Sequence, residues 1–142
     1  MKWKPQWSDR PEDLKLLQQN LLAKIENDFG PAGRKAYCWV LKDEQEELLG
    51  GVAGYVHWGW VYVAQVWVKD TVRGQGLGSD LLHHLELWAK ENSFLGIYID
   101  TFERSVKEWY ERKGFHCFGE IPDFPKGHQR FFLSRSLVGE KP

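Results

Sequence analysis

The stretch VRGQGLGS, residues 72–79, largely determines which fold this sequence predicts, because its three alternating glycines separate two contrasting patterns. Before it, the run VYVAQVWV at 61–68 is β-branched and aromatic, which predicts a strand. After it, leucines recur at helical spacing up to Asn92, which predicts an amphipathic helix. Glycine lets a ligand approach the backbone, and the first amides of a helix have no internal partner. The stretch therefore predicts a phosphate or pyrophosphate site with Arg73 as an added charge, and a purely structural turn is the alternative.

Two common phosphate motifs are excluded in this stretch. A P-loop needs Lys followed by Ser or Thr directly after its last glycine, whereas Gly78 is followed by Ser79 and Asp80. The spacing G-x-G-x-G also differs from the G-x-G-x-x-G of dinucleotide folds, which requires a parallel βαβ unit. The strands before the turn instead predict an antiparallel meander.

The remaining patterns predict a mixed α+β domain around one sheet. A helix is expected to begin near Pro11 and to end at Gly30, because leucines recur at helical spacing between them. A hairpin is expected where His57-Trp58-Gly59-Trp60 interrupts the β-rich sequence. The predicted strands are 36–42, 48–58, 61–68, 96–101, 115–120 and 130–137, and the two later helices are 76–92 and 105–113.

Length and composition predict one globular domain, residues 1–142, without disulfide or metal staples. Aromatic residues make up 15 % and the net charge is −1, which excludes a disordered chain and argues against a nucleic-acid binder. Cys38 and Cys117 are expected to be buried, reduced thiols. The adjacent His83 and His84 point about 100° apart on a helix, so no metal site is expected. The sequence shows neither a signal peptide nor a membrane span, which favours a cytoplasmic protein.

Two segments in register resemble one known family. Arg73, Gly76 and Gly78 reproduce the pattern R/Q-x-x-G-x-G/A of the GCN5-related N-acetyltransferases, at the same junction of strand and helix. WYERKGF at 109–115 is similar to the (F/W)Y-x-(K/R)-x-GF segment of that family. The resemblance spans about residues 10–137. It implies a mostly antiparallel sheet that is splayed at the cofactor strand and flanked by helices, with acetyl-CoA as co-substrate.

The resemblance also implies roles for individual residues. The glycine turn would hold the pyrophosphate of acetyl-CoA, and the strand before it would bond the pantetheine arm and the thioester carbonyl. Acyl transfer would then proceed by direct attack of an amine in a ternary complex. The turn positions are Arg73, Gly74, Gln75, Gly76, Leu77, Gly78 and Ser79, and the strand positions are Val66, Trp67 and Val68.

Tyr110 matches the family tyrosine that protonates the departing thiolate, and packing of its ring on the pantetheine arm is the alternative. Many members carry an asparagine seven residues before this tyrosine, where this chain has Glu103. We predict Glu103 as the base that deprotonates the amine, with Asp100 and Gln65 as further candidates. An exposed loop carboxylate without a role is the alternative for Glu103.

The expected partner is a small primary amine, such as a polyamine, an amino sugar or an aminoglycoside-like compound. Within the class, a protein or peptide amine is the alternative acceptor. A non-catalytic acyl-CoA-binding module is the alternative from another class, and an aromatic interaction surface at the hairpin is a third. Trp58 and Trp60 are candidates to wall an acceptor pocket, or simply to cover one sheet face. Homodimers are frequent in the family, so a homodimer is expected.

Overall fold

The computed structural model describes residues 2–142 and confirms the predicted order of elements. The small differences lie at the ends of elements, where local signals are weakest. A single 3₁₀ turn, Asp70–Val72, lies within the described residues between β3 and α2. The elements are α1 (Pro11–Phe29), β1 (Lys35–Lys42), β2 (Leu48–His57), β3 (Trp60–Val68), α2 (Leu77–Glu91), β4 (Gly96–Thr101), α3 (Arg104–Arg112), β5 (His116–Pro122) and β6 (Gln129–Ser136).

The chain divides into two compact units, one up to Ala32 and one from Gly33 to Pro142. The described part of the first unit contains α1, which begins at Pro11 and ends where Gly30 adopts a φ of 86°. The N–H of Gly30 donates to the carbonyl of Glu26, so one orphan acceptor of the last turn is satisfied. None of the helix residues is buried. That the whole chain forms one domain stays a prediction.

The second unit contains a six-stranded sheet in the order β1-β2-β3-β4-β6-β5. β1, β2 and β3 form the predicted antiparallel meander, and β4, β6 and β5 form a second antiparallel group. The two groups join where β3 runs parallel to β4, over Trp60–Val63 and Gly96–Ile99. The prediction of a mostly antiparallel sheet flanked by helices is confirmed.

One face of this sheet packs against α2 and α3 and forms the core of the unit. Leu81, Leu85 and Ala89 recur along α2 at helical spacing, and all three are buried. Their partners are alternate residues of the central strands, which point to the same face because side chains alternate along a strand. These buried strand residues include Val61, Val63, Ile97, Ile99 and Leu133. Complete burial of a leucine such as Leu85 contributes about 2–3 kcal/mol. Burial of such side chains against this sheet face therefore holds the helices in place on it.

The prediction of two buried cysteines is wrong. Cys38 is exposed and Cys117 is half-buried. Cys38 lies on the edge strand β1 opposite Ala53, on the sheet face away from α2, so nothing in this unit packs over it.

Within residues 2–142, no helix has the length and apolar character needed to cross a membrane. Within the same residues, no group of three or more His, Cys, Asp or Glu side chains is arranged to hold a metal ion.

Candidate active site

The sheet opens into a wedge between β3 and β4. Their parallel pairing stops at Val63 and Ile99. β3 continues to Val68 with only β2 beside it, while Asp100 and Thr101 of β4 pair with β6. The backbone of β3 within the wedge is therefore available to a ligand on its β4 side.

A β-bulge in β3 coincides with the start of the wedge. Ala53 of β2 pairs with Gln65 and Gly54 pairs with Val63, so Ala64 is the extra residue. A bulge inserts one residue and shifts the alternation of side chains after it. Val66 and Val68 consequently lie on the same face as Val61 and Val63, toward α2, while Trp67 lies on the opposite face.

The glycine turn has the conformation that an anion site requires. Gly74 and Gly76 both have a φ of +81°, which side-chain-bearing residues adopt at a cost. Gly76 is the N-cap of α2 and provides no side-chain cap, so the first amides of the helix keep their donors for another acceptor. A Cβ built at Gly74, Gly76 or Gly78 would meet no atom within 4 Å. The turn thus combines unpartnered donors with open space in front of them.

Arg73 braces this turn against the end of β3. Its Nε donates to the carbonyl of Val68 over 3.1 Å, and its Nη1 lies 2.9 Å from Oδ1 of Asp70. The side chain remains largely exposed. Arg73 therefore fixes the geometry between the strand and the turn and leaves guanidinium donors at the mouth of the site.

A cavity of about 520 Å³ lies in front of the turn and the wedge. It brings together most of the predicted positions, with the turn on one side and α3 on the other. Trp67 and Gln75 do not line it, and neither does Glu103, the exposed N-cap residue of α3. The predicted residues that do line it are Val66, Val68, Arg73, Gly74, Gly76, Leu77, Gly78, Ser79 and Tyr110.

Sequence reasoning missed one wall of this cavity. Ser105, Trp109 and Arg112 are four and three residues apart along α3, so they share one helix face, and all three line the cavity. Val106 and Val72 complete the lining. The sequence contains the signal for these residues. They lie within five residues of Tyr110 on the same predicted helix, at the spacing of one helix face.

Tyr110 lies at the base of the cavity and is 3 % exposed. Burial raises the pKa of its phenol, so the hydroxyl stays protonated at neutral pH. Trp109 and Phe115 contact its ring edge to face, with centroids 4.9 and 5.2 Å away. The hydroxyl makes no hydrogen bond to any residue in the described range 2–142. Its proton is therefore available to an acceptor in the cavity.

Asp100, a candidate base, has another role in the structure. Its Oδ1 accepts a hydrogen bond of 2.6 Å from the hydroxyl of Tyr62, and its Oδ2 accepts one of 2.7 Å from Nε of Arg130. A second guanidinium nitrogen of Arg130 also contacts Oδ2. Both carboxylate oxygens are thus engaged by Tyr62 and Arg130, and Asp100 orients the hydroxyl of Tyr62. The hydrogen bond to Asp100 and burial raise the pKa of Tyr62 to about 12.

Comparison with known proteins identifies the family. The model of the acetyltransferase (GNAT) domain matches residues 34–117, which is more than half of the chain. The chain belongs to the GNAT acetyltransferase family. This acetyltransferase is 36 % identical over 104 residues to the blasticidin-S acetyltransferase of Streptomyces morookaense, covering 72 % of this chain and 76 % of that protein.

Solved structures agree with this assignment. An acetyltransferase from Bacillus cereus superposes with a TM-score of 0.88 at 27 % identity, covering 96 % of this chain and 100 % of the other. A streptothricin acetyltransferase from Bacillus anthracis, solved in complex with acetyl coenzyme A, has a TM-score of 0.62 over 71 % of this chain and 62 % of the other. At 18 % identity, this second likeness shows the fold alone.

Proposed function

We propose that this acetyltransferase moves the acetyl group of acetyl-CoA to a primary amine of a small molecule, by direct attack in a ternary complex. The observation that carries the proposal is the cavity of about 520 Å³ that the glycine turn, the wedge strand and Tyr110 line together. The blasticidin-S acetyltransferase, named for a small molecule, is the relative that supports a small acceptor.

The turn would bind the pyrophosphate. Amides at the start of α2 donate to phosphate oxygens, and the helix dipole adds partial positive charge. Arg73 provides a full charge at the mouth, already held in place by Val68 and Asp70. The open space in front of Gly74, Gly76 and Gly78 fits phosphate oxygens close to the backbone.

The exposed backbone of β3, from Val66 to Val68, would hold the pantetheine arm and stabilise the carbonyl oxygen. When the amine nitrogen attacks the thioester carbon, negative charge develops on that oxygen, and an aimed N–H lowers the barrier. Because β4 has turned away from β3 at this level, amides of β3 are not paired with it. Trp67 would contribute here through its backbone, since its side chain points to the other face.

Tyr110 would supply the proton that the leaving group needs. As the C–S bond breaks, the thiolate takes the phenolic proton, and the tyrosinate is then reprotonated from the attacking nitrogen or from water. Glu103, at the start of α3, would accept the proton lost by the acceptor ammonium. Its side chain makes no hydrogen bond or ion pair within the described residues, so its carboxylate remains available.

The proposal is tested by two measurements on the same sample. Calorimetry measures acetyl-CoA binding, and release of free thiol measures turnover with a panel of polyamines, aminoglycosides, amino acids and lysine peptides. We expect binding, and turnover with a small amine. Absence of acetyl-CoA binding would overturn the proposal, and turnover with peptides alone would move the acceptor to the protein class.

Tyr110→Phe separates chemistry from binding. It is expected to lower kcat about 10²-fold or more and to leave the Kd of acetyl-CoA nearly unchanged, because only the proton donor is lost. Tyr37→Phe is the control, since it removes another buried hydroxyl, which donates to the Tyr62 carbonyl over 2.8 Å and does not line the cavity. Equal rates for Tyr110→Phe and the wild type would remove Tyr110 as the acid.

A further inference from the structure

A second cavity, of about 480 Å³, lies on the sheet face away from α2 and α3. Alternation along the strands places Trp60, Tyr62 and Tyr98 on that face, because their neighbours Val61 and Ile97 point into the core. The cavity is lined by His57, Trp58, Trp60, Tyr98, Phe118 and Ser134. Aromatic rings thus form most of its walls.

From this cavity we infer the class of acceptor: a primary amine carried about 10 Å from a planar, uncharged ring that this aromatic pocket holds. The inference rests on the proposed function, since it places the amine at the wedge of the same site. The distance follows from the strand. Trp60 lies three residues before Val63, where the wedge opens, and a strand rises about 3.3 Å per residue.

A continuous aromatic surface connects the pocket to the wedge. The rings of Trp60 and Tyr98 meet edge to face at 6.5 Å, and those of Tyr98 and Tyr62 stack at 4.8 Å. The hydroxyl of Tyr62 then donates to Asp100, at the start of the wedge. Because this hydroxyl gives its proton to Asp100, its lone pairs can accept from an amine N–H. The surface therefore leads a ring-bearing amine toward the reacting carbon.

Backbone strain at Trp58 supports a functional role for its side chain. The two-residue loop of the hairpin between β2 and β3 is Trp58-Gly59, with φ values of 44° and 77°. Positive φ at both positions is the type I′ pattern, in which the first residue is normally Asn, Asp or Gly. A bulky residue at positive φ is rare and costs about 1 kcal/mol or more. Trp58 lines the pocket despite that cost.

The position of Trp60 is also specified. A Cβ at Gly96 would lie 2.4 Å from the Trp60 indole and 2.6 Å from the carbonyl of Arg135. Gly96 therefore lets the indole lie flat on β4, where it forms one wall of the pocket. Two neighbouring positions thus present indoles to one cavity.

The polar groups of the pocket favour an uncharged ring. None of its six lining residues carries a carboxylate, a guanidinium or an ammonium group. Nε2 of His57 lies 2.9 Å from the hydroxyl of Tyr98. Burial and the nearby charge of Arg34 lower the pKa of His57, so its imidazole is neutral at pH 7. Neutral donors and acceptors between aromatic walls suit a heteroaromatic ring, and the positive charge of Arg34 near His57 disfavours a cation.

The inference is tested with phenylalkylamines of increasing chain length as probes. Cyclohexylalkylamines of equal length supply a non-planar ring, and aminoalkyl-trimethylammonium ions supply a cation. Calorimetry measures binding to the full chain without acetyl-CoA, and thiol release measures turnover. We expect phenyl compounds to bind best, with an optimum where the chain spans about 10 Å.

Trp58→Asn is the deciding variant, since Asn-Gly is the preferred type I′ pair and the hairpin is expected to keep or raise its stability. Affinity for the best phenyl amine should fall about three- to tenfold, while the Kd of acetyl-CoA stays unchanged and the Tm does not fall. Phe118→Leu should weaken binding of the same amine, and it leaves the glycine turn that would bind acetyl-CoA unchanged. Val40→Ala is the control, because Val40 is exposed on the same sheet face at the far strand β1.

The outcomes separate this inference from the proposed function. Equal binding of phenyl and cyclohexyl amines, tighter binding of the trimethylammonium ions, or an unchanged affinity in Trp58→Asn would overturn the ring pocket. Turnover of ring-free amines would then leave the proposed function standing. Ring-dependent binding with no turnover of any amine would overturn the proposed function, and with it the acceptor role of the bound amine, while the pocket would stand only as a binding site.

Discussion

Replacing Gly78 by alanine should raise the stability of the protein and weaken acetyl-CoA binding. Gly78 is the second residue of α2, its φ lies outside the left-handed region, and a Cβ there would meet no atom within 4 Å. Exchange of glycine for alanine at such a helical position stabilises a protein by about 0.4–1 kcal/mol. That gain corresponds to a rise in Tm of a few degrees.

The same methyl group would project into the cavity that Gly78 lines. It would displace a phosphate oxygen from the amides of the first turn. Loss of one hydrogen bond to a charged group costs about 1.5–3 kcal/mol, which is roughly a 10- to 100-fold increase in Kd. Stability and affinity are therefore expected to move in opposite directions.

Calorimetric titration with acetyl-CoA and thermal unfolding of the ligand-free protein measure the two effects. Gly119→Ala is the matched control: Gly119 also has open space at its Cβ and no positive φ, and it lies on β5 outside the cavity. A higher Tm for Gly78→Ala with a Kd equal to that of the control would refute the location of the pyrophosphate.

Three further perturbations test other parts of the structure. Gly54→Ala should lower the free energy of unfolding by about 1–3 kcal/mol in denaturant titration, because its Cβ would lie 1.9 Å from the carbonyl oxygen of Tyr62; an unchanged midpoint would contradict the register at the bulge. The pKa of Tyr62 is raised from 10.0 to about 12, so its contribution to stability is complete below pH 10 and is lost as the pH rises toward 12. The free energy of unfolding of Tyr62→Phe should therefore fall less steeply between pH 10 and 12 than that of the wild type. Parallel curves of unfolding free energy against pH would exclude the Asp100 hydrogen bond as the cause. Glu103→Gln should reduce kcat without changing the Kd of acetyl-CoA. The exposed Glu108→Gln should leave kcat unchanged, and equal rates for the two variants would show that Glu103 is not the base.

Elements and the glycine turn could be predicted because their signals are local. The alternation of 61–68, the glycines of 72–79 and the leucine spacing of α2 each depend only on neighbouring residues. The wedge itself depends on which strands pair, and where pairing ends at Val63 and Ile99 is a tertiary property. No local pattern of residues indicates where this pairing ends. Only the family resemblance predicted that β3 would separate from its neighbour.

Trp67 illustrates how one extra residue in a strand changes the orientation predicted for the side chains after it. With uninterrupted alternation, Trp67 would share the face of Val61 and Val63 and point toward the cavity. The bulge at Ala64 reverses the alternation, so Val66 takes that face and Trp67 is 46 % exposed on the other. Bulges leave little trace in a single sequence, and the side-chain orientation of everything after them is correspondingly hard to predict.

The junction between β3 and β4 has a mechanical consequence. Four registered pairs join the two antiparallel halves of the sheet, from Trp60 with Gly96 to Val63 with Ile99. The two halves share only this short stretch of parallel pairing, the β3–β4 seam. A ligand arm that hydrogen-bonds to β3 beyond Val63 would therefore add contacts next to the seam and stabilise it. Amide hydrogen exchange of Ala64–Val68 should therefore slow on acetyl-CoA binding, with the seam protected as well, while the outer strands β1 and β5 change little.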